Sequence, residues 1–588
     1  MRTLRTQPVM ASTGGKPAGS KRGLLGLPPE LLSHILSFVN VPTEKADVCT
    51  VCKQLQAVML PLLYHDVHLV LRNLRNANPT VAIGAFFRST DPGLGLIRHL
   101  TVDIFDKGLD TGHPNVWLRS GSDDDLMRLL ARQQRALETI RVDCLTVHNF
   151  FGQDDHFRRS FKGVKHISCM VDEAIDPFQA NPSAFAMCSA PFLELQTLEV
   201  SLAYLEFEPE KEATGEEMNM TTAALFQRFL PATRARPADS PDAVSVSAES
   251  PFSALRTLRL SDVGFGGPTA RVLCQVFDIS GLKSLNLHSC YGVAPLLHAM
   301  TIAGKLSLEQ LVILTDDIGT TPAMSTAELL DTLIGGFTGL RTLVLYIKDP
   351  RGAVPLPSVN AVAQHASSLK ILSLELGDEA GGRYEIDHLR VLGRTCVKLE
   401  QLSLVFAPVA LRGYASPCQD SDAVRDAEDS SYHFWESMEA ISALPRLRTL
   451  HIRRLPETSV MRCNADEAEG DERNLGYTMY SHEMLSTNCW RDFFHNKPLK
   501  VLAWGHQGSG FVPTEHWYVP APHTQDPGCP PHQCDRWRGM RCFFRGELLD
   551  LRGRKRITAI YRGDEAKYYE PAMEVLQTWD PMRGFPRF

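Results

Sequence analysis

The chain has 588 residues and a formal net charge of -7, and these values already limit what it can be. This length exceeds what one compact hydrophobic core needs, so it predicts several domains or an array of repeats. Hydrophobic residues make up 44% of the chain and charged residues 22%, which is typical of a soluble globular protein. The slightly acidic balance argues against a general nucleic-acid binder, because such proteins are normally basic.

Residues 1–22 carry five basic side chains and no acidic one. They lack an apolar core segment and so do not fit a secretory signal. A mitochondrial presequence fits their charge, but a disordered basic tail fits the Gly, Ser and Thr content better. The sequence contains no run of about 18 apolar residues, so no membrane span is predicted. The 14 cysteines show no disulfide spacing, which favours reduced thiols and a cytoplasmic or nuclear protein.

Residues 23–66 are predicted to form three short helices with a broad apolar stripe. Pro29 and Glu30 suit the first turn of a helix, and Thr43 can cap the next one. The apolar residues at helical spacing are Leu31, Leu32, Ile35, Leu36, Val39, Val48, Val51, Cys52 and Leu55. A segment of about 40 residues is near the lower limit for an independent core, so we expect it to dock onto a partner or onto the rest of the chain.

The same helical segment resembles the F-box. The residues that match the family's pattern are Leu27, Pro28, Glu30, Leu31, Ile35, Leu36, Val51, Cys52 and Lys53, and Leu55 stands where the family commonly has Trp or Phe. The resemblance implies binding to the Skp adaptor and, through it, to a cullin. The adaptor-binding residues that it implies are Leu27, Pro28, Leu31, Ile35, Leu36, Val51 and Leu55. Alternatively, some of these side chains only hold the three helices together.

A three-anchor apolar pattern recurs along residues 67–504: one apolar residue, then another three positions on, then a third two positions further. Clear copies start at 255, 282, 308, 340, 369 and 399, which are 26–32 residues apart, and weaker copies start at 97, 137, 164, 195, 447 and 499. This period fits leucine-rich repeats. The last two anchors share one face of a short strand, and the residues between them are expected to line a solvated face.

Helical patterns separate these strands, at 122–135, 269–278, 327–334, 384–396 and 432–443, and Ser325 with Glu328 forms a capping-box pattern. Strand and helix alternating at this period predict an α/β fold, a curved leucine-rich-repeat solenoid with parallel strands. A doubly wound sheet also alternates strands and helices, but the regular anchors favour the repeat. Residues 285–290 resemble the cysteine-containing leucine-rich repeats of F-box proteins.

Three polar stretches interrupt the repeats, at 206–250, 410–430 and 455–480, and each predicts a flexible loop. Residues 505–588 differ from the rest because they are rich in aromatic side chains. The open end of a solenoid exposes its core, so we expect this segment to fold as a C-terminal cap.

No motif predicts catalysis or a cofactor, since a P-loop, a G-x-S-x-G elbow and an H-E-x-x-H motif are all missing from the sequence. We therefore expect no enzymatic activity, no cofactor and no metal site. Cys49 and Cys52 form a C-x-x-C on a predicted helix, where core packing is expected. A second cluster has irregular spacing that favours a Pro-rich loop over a zinc site: His523, Cys529, His532, Cys534 and Cys542. The basic residues of 552–556 fit a solvated strand edge better than a nuclear signal.

The resemblance implies a non-catalytic substrate receptor of a Skp–cullin–F-box ubiquitin ligase, with the solenoid binding an unknown protein target. No nucleic-acid or membrane partner is expected. The alternative is a leucine-rich-repeat scaffold without a ligase role, in which the N-terminal helices cap the solenoid. Basic residues beside the strands would suit an acidic or phosphorylated target, although ordinary solvated positions explain them too: Arg256, Arg259 and Arg341.

Overall fold

The structure is a computed structural model that describes residues 24–39, 41–72, 94–105, 136–146, 163–172, 194–203, 252–315, 318–319, 324–347, 354–376, 382–406, 409, 421–453, 471–505, 541–549 and 555–561. Within these residues the chain forms one 15-stranded sheet whose strands follow one another in chain order. The first 13 strands pair in parallel and the last two are antiparallel. The predicted α/β class and the parallel strands are therefore confirmed, and the arrangement is solenoid-like.

The strands of the sheet are β1 (Asp66–Arg72), β2 (His99–Phe105), β3 (Thr139–Thr146), β4 (His166–Asp172), β5 (Thr197–Ala203), β6 (Thr257–Ser261), β7 (Ser284–His288), β8 (Gln310–Thr315), β9 (Thr342–Ile347), β10 (Ile371–Leu376), β11 (Gln401–Leu404), β12 (Thr449–Ile452), β13 (Val501–Trp504), β14 (Arg541–Leu549) and β15 (Lys555–Tyr561). Each of the twelve predicted repeat units contains one strand, from β2 to β13. Strand β1 precedes the first of these units.

The α-helices in the described residues are α1 (Pro29–Leu36), α2 (Pro42–Val51), α3 (Lys53–Leu63), α4 (Gly267–Val276), α5 (Val293–Ala303), α6 (Thr326–Gly335), α7 (Val359–Ala363), α8 (Ile386–Thr395), α9 (Ser421–Ser442) and α10 (Asp471–Asp492). Short 3-10 turns occupy Leu24–Gly26, Leu94–Leu96 and Ile279–Gly281. Of the helices in these ranges, none combines the length and the apolar character needed to cross a membrane.

The anchors of the repeat stack in register across the sheet. One row of side-by-side residues contains only Leu and Ile: Leu100, Ile140, Ile167, Leu198, Leu258, Leu285, Leu311, Leu343, Leu372, Leu402, Leu450 and Leu502. Each of these side chains is at most 2% exposed. Burying such a side chain stabilises the fold by about 1.5–3 kcal/mol, so this row holds successive units together.

The capping box predicted at the start of α6 is confirmed. The Ser325 hydroxyl accepts a hydrogen bond from the Glu328 backbone N–H at 3.3 Å, and the Ser325 N–H donates to Glu328 Oε2 at 3.0 Å. The hydrogen bonds that the Ser325 N–H and the Ser325 hydroxyl donate to the Glu328 carboxylate hold its pKa below its ordinary value. The helices predicted at 269–278, 327–334 and 384–396 are α4, α6 and α8, whereas 122–135 lies outside the described residues.

Two of the three predicted loops are wrong in their second halves. Helix α9 begins at Ser421, inside 410–430, and α10 begins at Asp471, inside 455–480. A polar composition does not exclude a helix, because Ala, Glu and Arg are good helix formers. The loop predicted at 206–250, the first half of each other loop and the basic tail 1–22 lie outside the described residues.

The face of the sheet opposite the row of apolar anchors, called the second face below, differs from the solvated surface that the sequence predicts. On β6 the burial pattern alternates, and the residues between the anchors are partly exposed as predicted. From β7 onward the prediction is wrong, because most residues on this face are buried, among them Val312, Leu314, Val344 and Ile371. Strands that are buried on both faces carry continuous apolar runs, as Gln310–Thr315 does in β8.

The described part of the C-terminal segment extends the sheet. Strand β14 pairs antiparallel with β13 and places Phe543 in the core at 0% exposure, and β15 pairs with β14. Lys555 and Arg556 of the basic run lie exposed at the start of β15, where Lys555 Nζ is 2.9 Å from Glu547 Oε2. The ion pair lowers the pKa of Glu547 and raises that of Lys555. The role of residues 505–588 as a cap stays a prediction.

The turns that follow successive strands approach one another closely at two glycines. Gly292 has φ 62° and Gly319 has φ 76°, a left-handed conformation that favours glycine. A Cβ on Gly292 would lie 2.7 Å from the Phe265 carbonyl oxygen, and one on Gly319 would lie 2.7 Å from the Gly292 Cα. The stacking of consecutive units therefore leaves no room for a side chain at these turns.

We predict that Gly292→Ala destabilises the chain by about 2–3 kcal/mol, because a side chain there meets both backbone strain and a rigid carbonyl. Gly267→Ala is the matched control, since its Cβ would meet nothing within 4 Å. It should change stability by less than about 1 kcal/mol. Urea unfolding followed by tryptophan fluorescence measures both, and equal effects would contradict this packing of the turns.

Candidate functional site

The three N-terminal helices have a small core of their own. The side chains of Leu32, Leu36, Leu55 and Met59 are at most 7% exposed and form one cluster. This cluster is separate from the large core cluster of the sheet, which Tyr64, Val67 and Leu69 adjoin. Helices α1 to α3 therefore form a packing unit distinct from the core beneath the strands.

One face of α1 presents apolar side chains to solvent. Leu31 is 52% exposed and Ile35 is 43% exposed. Phe38, just after the helix, is 71% exposed and packs edge-on against the His34 ring at a centroid distance of 5.3 Å. Spacings of four and then three residues place these three side chains along one line of the helix. We call Leu31, Ile35 and Phe38 the α1 face.

The seven residues that the F-box resemblance implies for adaptor binding divide into two groups. Exposed ones are Pro28, Leu31, Ile35 and Val51, and Leu27 is half-buried. Leu36 and Leu55 are only 5% and 7% exposed, because they help to form the core of the helices. These two side chains hold the segment together, and they leave the outer face to the other five.

Sequence reasoning missed further exposed apolar residues in the same segment: Leu24, Leu25, Phe38 and Val41. Phe38 could have been found, because it lies seven positions after Leu31. Among the described residues, seven exposed large hydrophobic side chains lie within 24–51 and four lie elsewhere. Because concentrated exposed apolar residues mark interaction sites, this segment is the strongest candidate for a docking surface.

The C-x-x-C pair does not lie on one helix, contrary to the prediction. Cys49 is in α2, whereas Cys52 separates α2 from α3 in an extended conformation. The Leu55 N–H donates to Cys52 Sγ at 3.5 Å, so Cys52 caps α3. Both side chains pack against the helical core, and burial raises the pKa of Cys49. The thiols therefore act as packing groups, as expected.

The second face of the sheet is partly accessible from β2 to β6, and its charged side chains pair with one another there. Glu199 lies between Arg259 and His166, whose Nε2 is 3.7 Å from Glu199 Oε2. Burial raises the pKa of Glu199, but the hydrogen bond from His166 and the charge of Arg259 outweigh it and lower the pKa. Glu199 and Arg259 therefore form an ion pair on this face, with the His166 ring beside the carboxylate.

The three basic residues considered for an acidic target are all engaged within the chain. Arg259 contacts Glu199, and Arg341 Nε lies 3.4 Å from Glu309 Oε2. Arg256 Nη1 donates to two backbone carbonyls, at 3.3 Å and 3.1 Å. These contacts give no support to recognition of a phosphorylated target by these side chains.

A buried polar network crosses the second face from β10 to β12. Arg453 is 3% exposed and forms an ion pair with Glu375. Its Nε donates to Ser403 Oγ at 2.7 Å and its Nη2 donates to Ser373 Oγ at 2.8 Å, while Tyr346 lies 5.8 Å from the guanidinium carbon. The guanidinium thus has partners on three strands, β9, β10 and β11.

The network continues through His451 to the end of β13. A backbone carbonyl only accepts, so His451 Nε2 donates to the Gly505 oxygen at 2.6 Å. His451 Nδ1 lies 3.0 Å from the Ser403 hydroxyl oxygen, so the imidazole bridges Ser403 and the Gly505 carbonyl. Arg453, Glu375, Ser373, Ser403 and His451 therefore satisfy one another's polar atoms in the buried face.

Asp262 follows β6 in a left-handed conformation, with φ 57°. Its Oδ2 accepts from Ser201 Oγ at 3.4 Å. Burial raises its pKa to about 7, although the Ser201 hydrogen bond acts in the opposite direction. The folded chain therefore keeps this carboxyl protonated at pH values where the unfolded chain has lost the proton.

We predict that Arg453→Met lowers stability by about 3–5 kcal/mol, because it leaves Glu375 buried without its cation. Arg341→Met removes an exposed ion pair of similar type and should cost less than about 1 kcal/mol. Urea unfolding of the two variants measures the contrast. A similar small loss in both would contradict the buried network.

We predict that Asp262→Asn stabilises the chain by roughly 1–3 kcal/mol at about pH 8. Above the pKa that Asp262 has in the folded chain, the full free-energy cost of ionising the buried carboxyl acts against folding. Below its pKa in the unfolded chain that cost is zero, because the folded and unfolded chains then both hold the proton. The gain should therefore shrink as the pH falls from about 7 to about 4. Asn is suited to the left-handed backbone at this position. A gain in stability that does not change with pH would contradict a raised pKa of Asp262.

The comparisons with known proteins leave the family open. No protein-family model matches the chain, and no curated protein matches it in sequence. The function must therefore be inferred from the residues and geometry described above.

Proposed function

We propose that the chain is the substrate-recognition subunit of a Skp–cullin–F-box ubiquitin ligase, located in the cytoplasm or the nucleus. In this role α1 to α3 are an F-box that binds the Skp adaptor. The sheet and its helices are a leucine-rich-repeat solenoid that holds a protein target. The chain itself is non-catalytic, because the ligase's other subunits bring the ubiquitin-charged enzyme.

The α1 face carries this proposal. Leu31 and Ile35 match the F-box pattern and are exposed, while Leu36 and Leu55 match it and are buried in the core of the helices. Such a division suits a small segment that folds around its own cluster and buries its outer face against a partner. Exposed Leu, Ile and Phe side chains would form the apolar centre of that interface.

The order of the elements adds support. The helical segment precedes β1, and the row of apolar anchors then runs through β13 with 26–32 residues between the starts of its clearest units. Parallel strands with helices between many of them are the arrangement that leucine-rich repeats would produce. A scaffold whose helices only cap the solenoid is less well supported, since α1 to α3 have a core cluster separate from that of the sheet.

The second face of β2 to β6 is where we place part of the target contact. Side chains there are mostly half-buried, whereas those from β7 onward are largely buried within the chain. The Glu199–Arg259 ion pair, with the His166 ring beside it, would favour a target surface of mixed polarity.

We predict that Leu31→Asp/Ile35→Asp weakens binding to the purified Skp adaptor by roughly 100-fold or more, because two carboxylates would be buried against an apolar surface. Calorimetry with the full chain measures the affinity. Ile302→Asp/Val397→Asp is the matched control, since these side chains are exposed on or beside helices of the sheet. The control should bind like the wild type.

The proposal would be wrong if folded wild type failed to bind the adaptor. It would also be wrong if both double variants bound equally well. Circular dichroism separates lost binding from lost folding, and Leu31 and Ile35 are exposed enough for the helices to tolerate the change.

A further inference from the structure

Two histidines and an aspartate converge where α3 passes into the sheet. His65 lies between α3 and β1, Asp66 begins β1 and His99 begins β2. One possible ligand atom from each side chain lies within 4.8 Å of the other two. His65 Nδ1 is 3.0 Å from Asp66 Oδ2, and the rings of His65 and His99 are 4.8 Å apart between centroids.

The backbone fixes these three residues relative to one another. The parallel register places Asp66 beside His99. The His65 carbonyl accepts hydrogen bonds from the Arg98 N–H at 3.1 Å and the His99 N–H at 2.9 Å. Val67 packs against the core and Leu100 is 0% exposed, so the alternation of the strands directs Asp66 and His99 to the opposite face. The ligand atoms therefore project from a hydrogen-bonded frame.

A carboxylate pairs with the base that precedes His99 in the chain. Arg98 Nη1 lies 3.2 Å from Glu138 Oε1, and Glu138 Oε2 lies 3.1 Å from Lys165 Nζ. These contacts lower the pKa of Glu138, first through the hydrogen bond from Lys165. The carboxylate of Asp66 then contributes a negative charge beside two imidazoles that can bind in their neutral form.

The geometry points to a binding site for one divalent transition-metal ion of the zinc class, held by His65, Asp66 and His99. Imidazole nitrogen and carboxylate oxygen are ligands of Zn²⁺, and a tetrahedral site with bonds of about 2.1 Å separates its ligand atoms by roughly 3.4 Å. The 3.0 Å and 4.8 Å separations need only side-chain adjustments to reach that value. Asp66 is exposed at its side chain, which leaves a fourth position for water.

The ion would tie the end of the helical segment to the first two strands. His65 follows α3 by two residues, while Asp66 and His99 belong to neighbouring strands. Binding would therefore limit motion between α1 to α3 and the sheet. This metal site does not depend on the ligase role, because its ligands lie outside the α1 face.

The test is a Co²⁺ titration of the full chain after treatment with a chelator, followed by competition with Zn²⁺. We expect d–d absorption bands without a thiolate charge-transfer band, because the ligands contain no sulfur. His65→Asn/His99→Asn should weaken this site by roughly 100-fold or more. Asp66→Asn, a change at an exposed side chain, should weaken it too and keep the fold intact.

The matched control is His433→Asn/Glu436→Gln, which removes another histidine–carboxylate pair, with His433 exposed, Glu436 half-buried and Nδ1 and Oε2 3.9 Å apart. It should leave the sulfur-free Co²⁺ signal unchanged. The inference is overturned if wild type shows no such signal. It is also overturned if Asp66→Asn and the histidine variant, with wild-type circular dichroism, bind Co²⁺ as wild type does.

Discussion

The stacking of one apolar anchor per unit is the constraint on which the remaining structure depends. From Leu100 on β2 to Leu502 on β13, each anchor lies beside the next and is almost fully buried. Side chains alternate between the two faces of a strand. The register of this row therefore determines on which face of the sheet each neighbouring residue lies. The close approach of Gly319 to Gly292 and the convergence of Asp66 with His99 both follow from that register.

The exposure of the second face differs between the first strands of the sheet and the later ones. In the first strands this face is partly open, and charged residues such as Glu199 and Arg259 pair along it. From β7 onward it is buried, and apolar residues alternate with a polar network centred on Arg453. A buried ion pair is costly unless further hydrogen bonds support it, and Ser403 and Ser373 accept two from Arg453. Among the described residues, the more accessible part of this face therefore lies toward the N-terminal half of the sheet, where we propose part of the target contact.

The strands and most described helices could be predicted from the sequence because their signals are local. Three anchors at fixed spacing locate each strand, and Ser325 with Glu328 marks the start of a helix. The buried network could not be predicted in this way, because Glu375 and Arg453 are 78 residues apart. The antiparallel β14 was missed because its sequence carries no anchor pattern, whereas the basic run at the start of β15 had been predicted to be a strand edge.

The candidate site was only partly predictable for a related reason. Seven apolar residues were identified, but helical spacing alone did not separate Leu31 and Ile35, which face solvent, from Leu36 and Leu55, which face the core. That separation depends on how three helices pack. The His65, Asp66 and His99 group had a sequence signal that was overlooked, because aligning the anchors Val67 and Leu100 places His99 beside Asp66.

Hydrogen–deuterium exchange of the full chain, alone and with the purified Skp adaptor, would decide whether the α1 face is a docking surface. Burial against the adaptor should slow amide exchange across α1 and the neighbouring ends of α2 and α3, and should leave α6 and α8 unchanged. Unchanged exchange in α1 at a saturating adaptor concentration, or protection confined to the sheet, would contradict the proposed role of these helices.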